Sequence, residues 1–467
     1  MKKKIAVVFV TKQSLDYYKC CGFFEDVSKS YDVEILKLDS FNTELEQEFK
    51  EVNLPSLDLG GWIDLYKYLK EKASLHYNDK RFSNKNHHLY AKFNNAKTFV
   101  NKLKFSIINV ASFFYANEKS IEKLERKRAC LVAETKCFKE LLVHFKANKP
   151  DFIYLTHQTT SHTYCVSQVA KKLNIPTISL IYSWDNVVKG NKQVMADYYF
   201  VWSRYMKDEM LQYYEKEVSE ENVFVVGTPQ FHQYFQEDIF IEKELFFKAY
   251  QIPKKDFYIC FSGNFTSIGQ DDPAYLADLA AVVTAYNSKN EKQFHILLRA
   301  NPADYNQGFL KVVKENTTVI TDVKTSWEST GVALPLNESK MPLAILKATI
   351  EYSDAMLNVG STMALDATIL NKLAYYLDYK IENGSDKFNI DEIYKFIHFK
   401  SLKELDNPVK HLKSKEDLKT ILEDLVDENS TRLSKQKVWA EKIVAHPLNE
   451  VSKRMLSAFD KISEKCI

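Results

Sequence analysis

Gly360-Ser361-Thr362 is a run of three small residues between stretches of different period. Before it, residues 355–359 are mostly apolar and predict a buried parallel strand. After it, Met363, Leu365, Ala367, Ile369 and Leu370 predict a helix over 363–372, and 374–377 predict the next strand. Such a turn offers backbone N–H groups and two hydroxyls at a helix N-terminus, a setting that binds phosphate. Asp366 falls about one helical turn past Thr362, on the same face, where its carboxylate could accept hydrogen bonds from ribose hydroxyls. Ser361 or Thr362 could equally be a plain helix cap.

Other residues with chemical potential follow predicted strands. The strand over 151–155 runs into Thr156-His157-Gln158, and the strand over 176–182 runs into Ser183-Trp184-Asp185-Asn186. Ligands of open α/β sheets gather at the carboxyl ends of strands, so His157 and Asp185 could face one pocket as acid–base groups. A loop histidine satisfied by its neighbours and a capping aspartate are the plainer alternatives. In the second half, Gly263 and Asn264 follow a strand over 257–261, and Arg299 follows one over 294–298. An arginine there can neutralise a diphosphate through paired hydrogen bonds, or sit in a surface ion pair.

The elements that position these residues read as two α/β halves. A strand over 5–10, a helix over 15–30 and a strand over 33–38 make a βαβ start. From 43 to 146 the strand pattern is lost and helical periods dominate. Between Lys80 and Asn117 there are seven Lys or Arg and no Asp or Glu, interleaved with Phe82, Phe105, Ile107, Ile108, Phe113, Phe114 and other large apolar residues. Packed helices with a solvated face or contact with an anionic membrane both fit this stretch. Nucleic acid fits least, since no binding motif accompanies the charge.

Composition narrows the class. A length of 467 residues predicts two domains, and the net charge of +2 gives no global pull toward nucleic acid. Seven cysteines without a C-x-x-C pair suit a reducing compartment and argue against a disulfide framework or a zinc site. The apolar run after Lys2-Lys3-Lys4 is too short for a signal peptide, and no stretch is long enough to span a bilayer. With 11 glycines and no G-x-G-x-x-G or Walker motif, a phosphate-binding turn cannot be glycine-rich.

Gly360-Ser361-Thr362-Met363-Ala364-Leu365-Asp366-Ala367 resembles the donor-site motif of GT-B glycosyltransferases that build bacterial surface polysaccharides such as capsule or lipopolysaccharide. Related sites occur in UDP-N-acetylglucosamine 2-epimerases and CDP-glycerol glycerophosphotransferases, so the motif does not choose the reaction. The stretch Ser183-Trp184-Asp185-Asn186, then Ala196 to Ser203, then Val226 to Phe231, is similar to a run in the same glycosyltransferases. Two departures stand out. Asn371-Lys372-Leu373 replaces the Gly-Lys-Pro often found after the helix, and Asn301-Pro302 stands where the glycerophosphotransferases tend to carry His-Pro, which weighs against phosphodiester transfer.

The resemblance implies an α/β GT-B fold. It has two Rossmann-like domains facing a cleft: 1–235 for the acceptor, with a basic helical insertion at about 43–146, and 245–440 for the nucleotide-sugar donor. A C-terminal helix in 441–467 returns to the first domain. The implied reaction moves a sugar from a nucleotide-sugar, a substrate and not a cofactor, to a glycan or lipid-linked acceptor. No D-x-D metal motif stands at a strand end. The leaving diphosphate therefore falls to Arg299, Gly360, Ser361 and Thr362, with Gly263, Asn264, Glu338 and Asp366 completing the donor site. Asp185 or His157 would deprotonate the acceptor, with Trp184 lowering the polarity around Asp185 and raising its pKa. The expected location is the cytoplasm, with peripheral contact at the inner face of the membrane. The alternatives are a nucleotide-sugar 2-epimerase, a polyol-phosphate transferase and a non-catalytic scaffold of this fold.

Overall fold

The computed structural model describes residues 2–465 except 42, 44, 46, 47, 58–60, 93–98, 191, 192, 267, 325, 326, 333–335, 337–339, 383, 386–389, 428 and 429. The chain forms two compact units, Met1–His232 with Lys442–Ile467, and Gln233–Glu441.

The first unit is built on a seven-stranded parallel sheet in the order β3-β2-β1-β4-β5-β6-β7. Its strands are β1 (Lys3–Phe9), β2 (Tyr31–Lys37), β3 (Lys50–Asn53), β4 (Phe152–Leu155), β5 (Thr177–Leu180), β6 (Tyr198–Val201) and β7 (Val223–Val225). The apolar run of β1 is explained by burial on both faces. Ile5, Val7 and Phe9 join one core with Phe23, Phe24 and Phe200. Ala6, Val8 and Val10 join another with Phe138, Phe145 and Val166, as a period of two requires. The helix Val451–Lys465 supplies Val451, Met455, Phe459 and Ile462 to the first of these cores.

Two expectations fail in this unit. The single helix over 15–30 is instead α1 (Lys12–Cys20) and α2 (Phe23–Ser30). Gly22 divides them in the left-handed conformation at φ +69, which costs glycine little. The region 43–146 is not free of strands, because β3 lies at the sheet edge against β2. Its charged, mostly exposed sequence KEVN lacks the apolar signature of a buried strand. The remaining helices there are α3 (Gly61–Arg81), α4 (Phe99–Phe114), α5 (Glu118–Ala133) and α6 (Lys136–Ala147), followed after β4 by α7 (Ser161–Leu173).

The second unit has a six-stranded parallel sheet in the order β10-β9-β8-β11-β12-β13. The strands are β8 (Phe257–Ser262), β9 (Phe294–Arg299), β10 (Ile320–Asp322), β11 (Ala355–Asn358), β12 (Leu373–Leu377) and β13 (Lys410–Leu412). The helix after the small-residue turn, Met363–Ile369, is shorter than expected. Asn371 adopts φ +60, the Lys372 N–H reaches Ala367 O at 2.8 Å, and the Asn371 N–H reaches Thr368 O at 3.0 Å. This is a Schellman ending in which asparagine takes the left-handed place glycine usually fills.

Candidate functional site

In the second unit the chain moves outward from β8 to β9 and β10, then returns to β11 on the other side of β8. The strand order reverses between β8 and β11, and at such a switch point the loops leaving neighbouring strands part to leave a crevice. Gly263 and Asn264 follow β8, Arg299 ends β9, and Gly360, Ser361 and Thr362 follow β11. The fold thus gathers these predicted residues at one end of three adjacent strands. Glu338 lies outside the described residues.

Arg299 is half-buried, and no hydrogen bond or ion pair with a described residue holds its guanidinium. Its field reaches the Asp366 carboxyl. The Gly263 N–H bonds to Arg299 O at 2.9 Å, and a Cβ on Gly263 would come within 3.0 Å of the Phe309 ring. The loop therefore lies tight against the end of β9. Asn264 is a strut: its N–H donates to Asp272 Oδ2 at 2.7 Å and its side-chain amide to Val359 O at 3.2 Å, tying the β8 loop to the β11 loop. Burial pushes the Asp272 carboxyl up to about 7.

The turn after β11 differs from its expectation. Its amides are not all free, since Ser361 N–H donates to Asn358 Oδ1 at 2.8 Å. Gly360 sits at φ +60, where a Cβ would meet Ile393 at 3.0 Å and Phe399 at 3.1 Å. Ser361 Oγ accepts the Met363 N–H at a long 3.4 Å, so part of its role is the plain helix cap. Asp366 is only 3% exposed and accepts a 2.5 Å hydrogen bond from Tyr234. Burial raises its carboxyl to about 6, against the lowering effects of Tyr234 and Arg299. The carboxylate expected to hold a ribose is therefore buried and already bonded to Tyr234.

In the first unit the order reverses between β1 and β4, and the loops after β1, β4 and β5 meet at the carboxyl end. The His157 ring stacks on Tyr182 at 4.0 Å between centroids. Its Nδ1 accepts from Thr159 N–H at 3.2 Å, which places the ring proton on Nε2. Burial lowers its pKa to about 4, so at neutral pH His157 is a neutral donor. Asp185 is ion-paired with Lys189 and accepts from the Asn186 amide at 3.1 Å. The expected apolar setting from Trp184 is thus corrected: the carboxylate faces an ammonium. The loops of His157 and Asp185 are joined by Gln158, whose amide donates to Asn186 Oδ1 at 2.8 Å while its carbonyl accepts Tyr182 N–H at 2.9 Å.

Gln158, Asn358, Asp272 and Tyr234 were not read from the sequence. Asn358 carried a signal, as the one polar residue in a buried strand, and so did Gln158, among polar residues at a strand end. Tyr234 carried none, because its partner Asp366 is 132 residues away.

Neither a family model nor a curated protein matches this sequence. Solved structures do match in fold. The S. aureus MnaA–UDP structure is 12% identical and covers 100% of this chain and 98% of its own, with a TM-score of 0.52. The UDP-GlcNAc 2-epimerase from Methanocaldococcus jannaschii is 11% identical, covering 98% and 99%, with a TM-score of 0.51. The wall teichoic acid polymerase TagF is 12% identical, covering 99% and 89%, with a TM-score of 0.50. The chain has the GT-B fold, and the likeness extends over its whole length.

Proposed function

We propose that this protein is a glycosyltransferase that moves a sugar from a nucleotide-sugar to a glycan or lipid-linked acceptor in surface polysaccharide synthesis, without a metal. The observation that carries this reading is Arg299. The guanidinium makes no hydrogen bond or ion pair with a described residue and feels Asp366 only through its field, so its donors are available to a ligand anion. At a switch point, beside hydroxyls of Ser361 and Thr362, the anion that fits is a diphosphate. Charge developing on a leaving nucleoside diphosphate would be met there by Arg299. In the first unit Asp185 would take the acceptor proton, while His157 would donate from Nε2 to a substrate oxygen. The Asn301-Pro302 departure continues to weigh against phosphodiester transfer.

A second reading, nucleotide-sugar 2-epimerisation, is favoured by the fold likeness to the epimerase from M. jannaschii. Incubating the protein with UDP-, GDP-, ADP- and CMP-sugars, with and without oligosaccharide acceptors, separates the two. Transfer releases nucleotide together with an extended acceptor. Epimerisation changes the sugar without any acceptor. Tight binding without turnover would leave a scaffold.

A further inference from the structure

The region from Lys80 to Asn117 is not uniform. Phe82 packs against Tyr213 and Phe105 against Tyr68, at 4.6 and 5.3 Å between ring centroids. Arg81 is engaged with Tyr213 O, Gln212 O and Glu215. Residues 93–98 lie outside the described residues.

Helix α4 behaves differently. Tyr68 meets Phe105, Lys72 bonds to Asn109 and His76 stacks on Phe113, so α3 and α4 run side by side in the same direction. Ile108 is buried with Leu69 and Leu124. The opposite line of α4 is bare: Leu103, Ile107, Val110 and Phe114 are 56–78% exposed. Their spacing of i, i+4, i+7 and i+11 makes one straight apolar stripe about 16 Å long. Phe113 flanks it, and Trp62 on α3, six residues before Tyr68, is also exposed. A stripe this apolar on a water-facing helix marks a contact surface.

We infer that this stripe seats α4 in the surface of an anionic lipid bilayer. Charge complementarity selects that occupant. The helix holds lysines and no acid, and no acid occurs between Lys80 and Asn117, in a chain with 62 acidic residues. Lys104 follows Leu103 directly, and Lys72 and Lys80 stand on the neighbouring α3. A helix lying in the interface buries its apolar line among acyl chains while flanking cations meet lipid phosphates. Among the described residues no helix is long and apolar enough to cross a membrane, so the contact is peripheral. The inference rests on this surface alone and does not depend on the reading of the donor site.

The test is co-sedimentation of the full chain with vesicles of phosphatidylcholine alone and of phosphatidylcholine with phosphatidylglycerol. The wild type should partition on the order of ten-fold more strongly onto the anionic vesicles, and added salt should erase most of the difference. Combined Leu103→Ser, Ile107→Ser, Val110→Ser and Phe114→Ser should abolish binding and leave the melting temperature unchanged, because these side chains are exposed. Lys80→Gln with Lys104→Gln should remove the preference for anionic lipid. Equal binding by the wild type and the serine variant would overturn the inference. So would a wild type that ignores vesicles but sediments as a dimer that the serine changes dissociate, since a second copy would then cover the stripe.

Discussion

Among single residues, the two candidates for the base are now unlike each other. His157 is held neutral with Nδ1 already accepting a hydrogen bond, and its pKa is pushed down to about 4. Asp185 keeps its carboxylate among polar partners. Asp185→Asn should therefore cost roughly 10²–10⁴ in kcat with nucleotide affinity retained, and His157→Ala should cost less. Steady-state kinetics with calorimetric titration of nucleotide checks both; the opposite ranking would exchange the roles. Asp366 gives a pH signature. Its carboxyl binds a proton more tightly folded than unfolded, so its contribution to stability is present below about pH 4 and is lost as pH rises through about 6. Asp366→Asn is neutral at every pH and can still accept from Tyr234. It should be more stable than the wild type by about 3 kcal/mol near pH 8 and about equal near pH 4. Urea unfolding at the two pH values measures the difference.

Among elements, the turn after β11 is specified by packing as much as by its own residues. Gly360 combines φ +60 with Ile393 and Phe399 against the place of a Cβ. Gly360→Ala should cost about 1–3 kcal/mol in chemical denaturation, and a neutral result would mean the turn can relax. How far elements were legible followed from burial. β1, β4, β8, β9, β11 and β12 are apolar runs, and each stood out in the sequence. β3, β10 and β13 did not, because the short edge strands KEVN, ITD and KHL carry charge or polarity where an interior strand would be apolar. The break at Gly22 and the early stop at Asn371 turn on left-handed residues, which a hydrophobic period does not register. The loops that gather candidate residues were readable as strand ends. The struts inside them were not, since Asn264–Asp272 and Gln158–Asn186 pair residues on different elements.

For the whole molecule, each unit is a parallel sheet whose strand order reverses once, and candidate residues stand at the carboxyl end beside each reversal. The GT-B fold does not choose among transferase, epimerase and scaffold. The nucleotide site proposed in the second unit lies beside the reversal there, where Arg299 makes no hydrogen bond or ion pair with a described residue. The most direct test is calorimetric titration of nucleoside diphosphates and nucleotide-sugars into the wild type and Arg299→Gln. Saturable one-site binding of at least one nucleoside diphosphate is expected in the wild type, weakened on the order of 10–100-fold in the variant, as loss of a charged hydrogen-bond donor implies. No binding of any nucleotide, or affinity unchanged by Arg299→Gln, would contradict the assignment of the donor site.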